Sequence, residues 1–208
     1  MNKRFCPVCR RSFGDLDTCP ADGADLQPLP NAYPQLETYI DENLVLEKHI
    51  ADGGMARIYQ ARDVNTGSVH ACKVLHPSLA LQPYTVERFY RQARIALKFE
   101  HPGVPHVVQY GPGSDGHHLI LMELLTGESL ARIMAREGRL DWERSVRIIL
   151  HLCAALGVVH GQSVVHRDIK PENVQVGIDP DGGEKVWLLD FGIAQVSDEG
   201  AFSTAFGD

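Results

Sequence analysis

Two polar strings, one hairpin apart, leave this chain few folds to choose from. His166-Arg167-Asp168-Ile169-Lys170-Pro171-Glu172-Asn173 follows the apolar pair Val164-Val165, and Asp190-Phe191-Gly192 follows the apolar run Val186–Leu189. Between them, Val174-Gln175-Val176 and Val186–Leu189 read as short strands, with Asp179-Pro180-Asp181-Gly182-Gly183 as the turn that joins them. Phosphoryl transfer needs in-line positioning, charge neutralisation and a carboxylate near the attacking hydroxyl more than it needs covalent help. Asp168 can orient a hydroxyl and accept its proton, and Lys170 can bring positive charge to the transferring group. Asn173 and Asp190 supply the hard oxygen ligands that Mg²⁺ prefers.

The rest of the chain divides by composition. Residues 1–27 are poor in apolar residues and rich in Cys, Asp and Gly, and residues 28–40, with Pro28, Pro30 and Pro34, read as a linker. From Leu44 the pattern is strand-like: Leu44–Leu46, Arg57–Tyr59 and Val69–Leu75 lie between Gly-bearing turns. The spacing of Phe89, Ala93, Ala96 and Leu97 predicts a helix over Val86–Phe99. Val107–Tyr110 and Leu119–Leu124 are further strands. A longer helix is expected from an N-cap at Asp141 to Gln162, with Val146, Ile149, Leu150, Cys153, Ala154 and Gly157 on one face. A strand-rich half followed by a helix-rich half is an α+β arrangement.

On these strings, residues from about 40 to the end resemble a bacterial eukaryotic-like Ser/Thr protein kinase. The resemblance implies a bilobal kinase-like fold, with an N-lobe and hinge over 41–125 and a partial C-lobe over 126–208. Ile50-Ala51-Asp52-Gly53-Gly54-Met55-Ala56-Arg57-Ile58-Tyr59 is similar to that family's Gly-rich loop, with Ala51 and Ala56 where its first and third glycines usually stand. Backbone N–H groups there would face ATP phosphates, and a side chain at Gly53 would block the approach. His70-Ala71-Cys72-Lys73 is similar to the Val-Ala-Ile-Lys element, which makes Lys73 the residue for the α- and β-phosphates. Met122 falls at the gatekeeper position and Glu123-Leu124-Leu125 at the hinge that would hold adenine, with Ile50, Ile58, Ala71 and Val176 as apolar walls. Lys170 after Asp168 implies Ser/Thr specificity. Arg167 implies control by phosphorylation of the activation loop, where Ser203 and Thr204 are the candidates.

Two departures from the family pattern stand out. Where the family has Arg-Glu-Ala on the helix facing Lys73, this chain has Arg91-Gln92-Ala93. A charge-assisted hydrogen bond is worth about 1.5–3 kcal/mol net and a neutral one about 0.5–1.5 kcal/mol, so the lysine is expected to be held more weakly, with ATP binding retained. Glu87 and Glu100 are turned well away from Gln92 by helical spacing. The second departure is that only Ile193–Asp208 follow Asp190-Phe191-Gly192, without the Ala-Pro-Glu motif and later helices, so an incomplete C-lobe is expected.

The first residues carry a different chemistry. Cys6, Cys9 and Cys19, with Asp22 where a fourth cysteine would complete a second knuckle, resemble a small zinc ribbon and could close a tetrahedral Zn²⁺ site. A structural or docking role is expected for it, with a protein partner. Cys72 and Cys153 read as small hydrophobes. A net charge of −7 argues against a general nucleic-acid or anionic-membrane binder. No secretory signal pattern and no apolar run of membrane-spanning length is read from the sequence, so the expected location is the cytoplasm. The reading is therefore an ATP- and Mg²⁺-dependent kinase of protein Ser/Thr hydroxyls. The alternative is a pseudokinase-like nucleotide-binding regulatory module, favoured by Gln92 and the thinned Gly-rich loop. A small-molecule phosphotransferase of related fold is a third option.

Overall fold

The computed structural model of the chain describes residues 4–9, 11–14, 16–28, 32–179, 182–191 and 195–196. Two compact units divide it, Met1–Ala93 with His106–Leu125 and Arg94–Pro105 with Thr126–Asp208.

The first unit opens on three two-residue strands, β1 (Arg4–Phe5), β2 (Ser12–Phe13) and β3 (Gln27–Pro28), antiparallel in the order β2-β1-β3. Cys6, Cys19 and Leu26 are buried together beneath them, with Cys9, Phe13 and Ala24 packed around. Then come β4 (Tyr39–Asp41), β5 (Leu44–Asp52), β6 (Ala56–Asp63) and β7 (Val69–Leu75), the helix α1 (Pro83–Ala96), and β8 (Val107–Pro112) and β9 (His118–Glu123). The strands from β4 onward form one antiparallel sheet in the order β4-β5-β6-β7-β9-β8.

Register explains the use of the two faces. Side chains alternate across a strand, so Tyr59, Cys72, Val74, Leu119 and Leu121 fall on one face and are buried with Ile40, Leu44, Leu46 and Ala61. Ile58 pairs with Lys73, and Lys73 with Ile120, while Ala71 pairs with Met122, so Ile58, Ala71, Lys73 and Met122 share the other face.

Helix α1 begins and ends three residues earlier than the spacing predicts. Pro83 suits the first helical position because it has no N–H to leave unsatisfied, and Val86 already donates to the Gln82 carbonyl. At the other end Lys98 and Phe99 donate to carbonyls only three residues back, so the helix tightens and stops. Phe89 and Ala93 are buried as expected, but Leu97 is exposed and Ile95 and Phe99 take the inner positions.

The second unit holds β10 (Glu128–Ser129), α2 (Leu130–Glu137), α3 (Trp142–Gly161), β11 (Val164–Val165), β12 (Val174–Ile178), β13 (Glu184–Leu188) and β14 (Gln195–Val196). Its sheets run β10-β12-β13 and β11-β14. Gly127 allows the β10 approach: at φ 93°, a Cβ there would lie 2.0 Å from the Val176 carbonyl oxygen. The β12–β13 turn is tied by Asp179 and Gly183, whose backbones pair at 2.8 Å while the Asp179 carboxylate accepts the Gly183 N–H at 2.7 Å.

Asp141 caps α3 as the sequence predicts, accepting from the N–H groups of Glu143 and Arg144. The buried face, however, is the opposite one. Ile148, Ala155 and Val159 are buried, with Leu152 packed behind, whereas Val146, Ile149, Leu150 and Cys153 face outward. The helix is apolar on two sides, and α3 packs on β13 and β11 with only one of them. By length and composition alone this 20-residue helix could cross a membrane, which corrects the expectation that no run approaches that length. Its buried side instead belongs to the cores with Val174, Val176 and Val186 and with Val164 and Phe191.

Candidate functional site

In the first unit, β5 and β6 meet at the predicted Gly-rich loop. Asp52 and Arg57 are paired in register, and the Arg57 Nε lies 2.5 Å from Asp52 Oδ1, closing the neck of the loop. Gly53 and Gly54 are exposed at its tip, where Gly53 N–H donates to the Ala56 carbonyl at 2.9 Å. A Cβ on Gly54 would meet nothing within 4 Å, and neither glycine has a positive φ. The fold itself therefore does not demand glycine at Gly54; the open space above the loop is what a side chain would take. Ala51 pairs with Ile58, and Ile50 falls in the irregular step of β5 and is exposed.

Lys73 projects from the middle of β7 and is 7% exposed. Its Nζ donates to Gln92 Oε1 at 3.1 Å, so the helix residue predicted to face the lysine does so, through a neutral oxygen. The other end of Gln92 has its own partner, since Nε2 donates to the Met55 sulfur at 3.2 Å. One amide thus ties α1 both to the lysine and to the loop tip. Sequence spacing alone did not indicate the second contact, which spans 37 residues.

The hinge residues follow from β9. Glu123 N–H donates to the His106 carbonyl at 2.8 Å, and Leu124 and Leu125 continue past the strand end, half-buried. Val176 lies in the second unit, in the core with Ile133, Ile148 and Val174.

In the second unit the string from His166 forms a tightly bonded loop. The Lys170 ammonium donates to both Asp168 carboxylate oxygens, at 2.9 and 3.0 Å. Asn173, buried, turns its amide NH₂ to the Asp168 carbonyl at 2.8 Å and to Asp168 Oδ2 at 2.9 Å. Lys170 first, and then Asn173, hold the Asp168 carboxyl below the usual aspartate range against partial burial, and Asp168 in turn raises Lys170. Asp168 is therefore ionised at neutral pH. His166 is fully buried; its Nε2 meets the Leu189 carbonyl at 2.9 Å, and its Nδ1 accepts the Asp168 N–H at 3.3 Å. Those partners assign the neutral Nε2–H tautomer, and burial pushes the imidazole below its ordinary value.

Asp190 ends the β12–β13 hairpin, brought there by the Leu189 N–H donating to the Asn173 carbonyl at 2.8 Å. Phe191 is buried against His166, ring centres 4.9 Å apart, and against Phe99 at 5.5 Å. Arg167 at φ 64° and Asp190 at φ 59° occupy the left-handed region, which costs a non-glycine residue about 1–3 kcal/mol. Such strain concentrates at functional sites, and no glycine or asparagine marked it in advance. Ser203 and Thr204 lie outside the described residues.

The cysteine module gathers the predicted ligands. One atom each from Cys6, Cys9, Cys19 and Asp22 lies within 4.8 Å of every other. The Cys6 sulfur is 3.3 Å from Asp22 Oδ2, and the Cys9 and Cys19 sulfurs are 3.5 Å apart. Backbone N–H groups of Cys9 and Ala21 point at the sulfurs of Cys6 and Cys19, each at 3.4 Å. Desolvation pushes the Cys9 thiol up to about 12, with Cys19, Cys6 and Asp22 adding to the rise against an Arg11 backbone hydrogen bond. Crowded thiols without a cation resist ionisation, whereas a bound cation would deprotonate them.

Comparison with known proteins bears on the residues from 44 onward. Residues 44–208 match the protein kinase domain family. The chain is 36% identical over 169 residues to the serine/threonine-protein kinase pkn3 of Myxococcus xanthus, covering 79% of this chain and 31% of that protein. It is 35% identical over 165 residues to pkn2 of the same organism, covering 79% of this chain and 20% of that protein. It is 34% identical over 169 residues to PknA of Mycobacterium tuberculosis, covering 79% of this chain and 38% of that protein. The chain thus spans between about a fifth and two fifths of the length of these curated relatives.

Proposed function

This chain belongs to the protein kinase domain family, and on that premise we propose that it transfers the γ-phosphoryl group of ATP to serine and threonine hydroxyls of protein substrates in the cytoplasm. The observation that carries this reading is the Asp168 carboxylate, ionised and held by Lys170 and Asn173 within 3.0 Å. A carboxylate so fixed can orient the attacking hydroxyl and take its proton, while Lys170 offsets charge on the transferring group. Lys73 and the amides around Gly53 and Gly54 would take the ATP phosphates. Glu123 and Leu125 would offer backbone groups to adenine, beside Ile50, Ile58 and Ala71. Asn173 commits its NH₂ to Asp168, so its carbonyl oxygen is the end that suits a cation, and Asp190 would supply the carboxylate. Mg²⁺ held there would neutralise phosphate charge.

The test is phosphate transfer from γ-labelled ATP to a protein substrate, with Asp168→Asn as control. Label on Ser/Thr from the wild-type chain and its loss in the variant are expected; equal label from both would overturn the assignment. The second reading, a nucleotide-binding regulatory module, draws on the neutral Lys73–Gln92 contact. Saturable ATP binding without any transfer would select it.

For the first residues we propose a structural Zn²⁺ held by Cys6, Cys9, Cys19 and Asp22, serving as a docking module for a protein partner. The support is the close approach of four ligand atoms with amide donors aimed at two of the sulfurs. One zinc per purified chain is expected, lowered at least tenfold in affinity by Asp22→Ala. A chain that holds no stoichiometric zinc would end the proposal.

A further inference from the structure

The segment that follows the cysteine module does not simply bridge two folded parts; it is gripped at adjacent residues. The Ala32 carbonyl accepts from His117 Nε2 at 2.8 Å, and His117 is itself buried and bonded to Asp115. Tyr33 is held on two sides. Its ring lies under the Arg57 guanidinium at 3.7 Å and meets His76 edge-on at 5.5 Å, while its hydroxyl bonds to His76 Nδ1. His76 and Arg57 both lead to the Gly-rich loop. His76 Nε2 reaches the Gly53 carbonyl at 2.8 Å, and its backbone N–H donates to the Met55 carbonyl at 3.0 Å. Arg57 closes the neck with Asp52.

The hydrogen bonds fix one tautomer. Tyr33 O–H donates to Nδ1, so the proton sits on Nε2 and is given to the Gly53 carbonyl. We propose that Tyr33 and His76 are positioning residues for ATP: the segment after the cysteine module sets the Gly-rich loop where its amides meet the phosphates. The loop has alanines at two of the usual glycine positions, and these outside contacts add to the Asp52–Arg57 and Gly53–Ala56 bonds of the turn itself. The inference rests on the reading of this loop as the ATP phosphate site.

The experiment measures affinities of the full chain for ATP with Mg²⁺ and, separately, for adenosine. Tyr33→Phe removes only the hydroxyl, and His76→Ala removes both arms of the relay. Tyr84→Phe, on an exposed tyrosine, is the control. Loss of one neutral hydrogen bond predicts about a three- to tenfold weaker ATP affinity for Tyr33→Phe, with more for His76→Ala and no change for the control. Adenosine, which lacks phosphates, should bind all four proteins alike. Equal weakening for ATP and adenosine would show a merely structural role and overturn the proposal, as would unchanged ATP affinity in Tyr33→Phe. If His76→Ala does not fold, Tyr33→Phe decides. A wild-type chain that binds neither ligand would instead bring down the ATP reading itself.

Discussion

Lys170 and Lys73 are both ammonium groups held by a neighbour, but Lys170 lies 2.9 Å from a carboxylate and Lys73 lies 3.1 Å from an amide oxygen. Around Lys170 the loop from His166 to Asn173 is knit by short-range bonds among its own residues, which bring an ammonium, a carboxylate and an amide together. Around Lys73 the corresponding order comes from a distance: α1 supplies Gln92, and the loop tip is fixed by Gln92, His76 and Tyr33. The comparison separates two ways of building a site. One sets charge against charge and is bonded mostly within its own loop. The other has a neutral contact where the family uses charge, and draws its order from residues dispersed over the first 92.

The contrast can be broken most strongly at Asp168. Asp168→Asn keeps the shape but not the base, and phosphate transfer should fall by about a hundred- to ten-thousandfold. ATP affinity should fall far less, since the Asp168 carboxylate bonds to Lys170 and Asn173 and is not among the groups assigned to the ATP phosphates or to adenine. A parallel loss of binding would show that the two regions are not separable in function.

A smaller effect is expected at Gln92. Gln92→Glu turns the ammonium–amide contact at Lys73 into an ion pair, a gain of roughly 1–1.5 kcal/mol that predicts about a five- to tenfold rise in turnover. An unchanged rate would show that the neutral contact does not limit the reaction. Met55→Leu, which takes away the sulfur acceptor, should weaken ATP binding about twofold in the wild type, a weak acceptor's share. In the Gln92→Glu background the same change should do nothing, because the donor is already gone. Additive losses would dismiss the Gln92–Met55 contact.

The smallest effect lies in the acid titration of the charged region. Buried His166 has its value lowered, so between its folded value and the unfolded value of about 6.5 the unfolded chain binds the extra proton. The stability this residue contributes is complete above that unfolded value and is lost as pH falls through the folded one. Melting temperatures followed from pH 8 to 5 should hold steady and then decline below about 6.5. A flat profile across that range would mean that His166 is not held neutral.

The same contrast governs what the sequence could reveal. The loop from His166 and the β12–β13 hairpin were readable because their bonds are local: strand, turn and polar string follow one another in the chain. Asp141 was readable as a cap for the same reason. The face of α3 was not, because Val146, Ile149 and Leu150 are as apolar and as well spaced as Ile148, Leu152 and Ala155. Only packing on β13 and β11 decides between them. Tyr33 and His76 stand 43 residues apart, and nothing in either neighbourhood announces the pair. The left-handed backbone at Arg167 and Asp190 was likewise unmarked, because it is imposed by what surrounds those residues and not by their own preferences.

The amide of Gln92 has a further consequence in genetic terms. Glutamine and glutamate codons differ at a single base, so a carboxylate at position 92 is one point mutation away. That mutation would also exchange the only nitrogen of the side chain for an oxygen, and the donor to Met55 would vanish with it. A screen for faster variants of this chain should therefore reach position 92 early. Its winners should then gather second changes at the loop tip, where the lost hold has to be replaced.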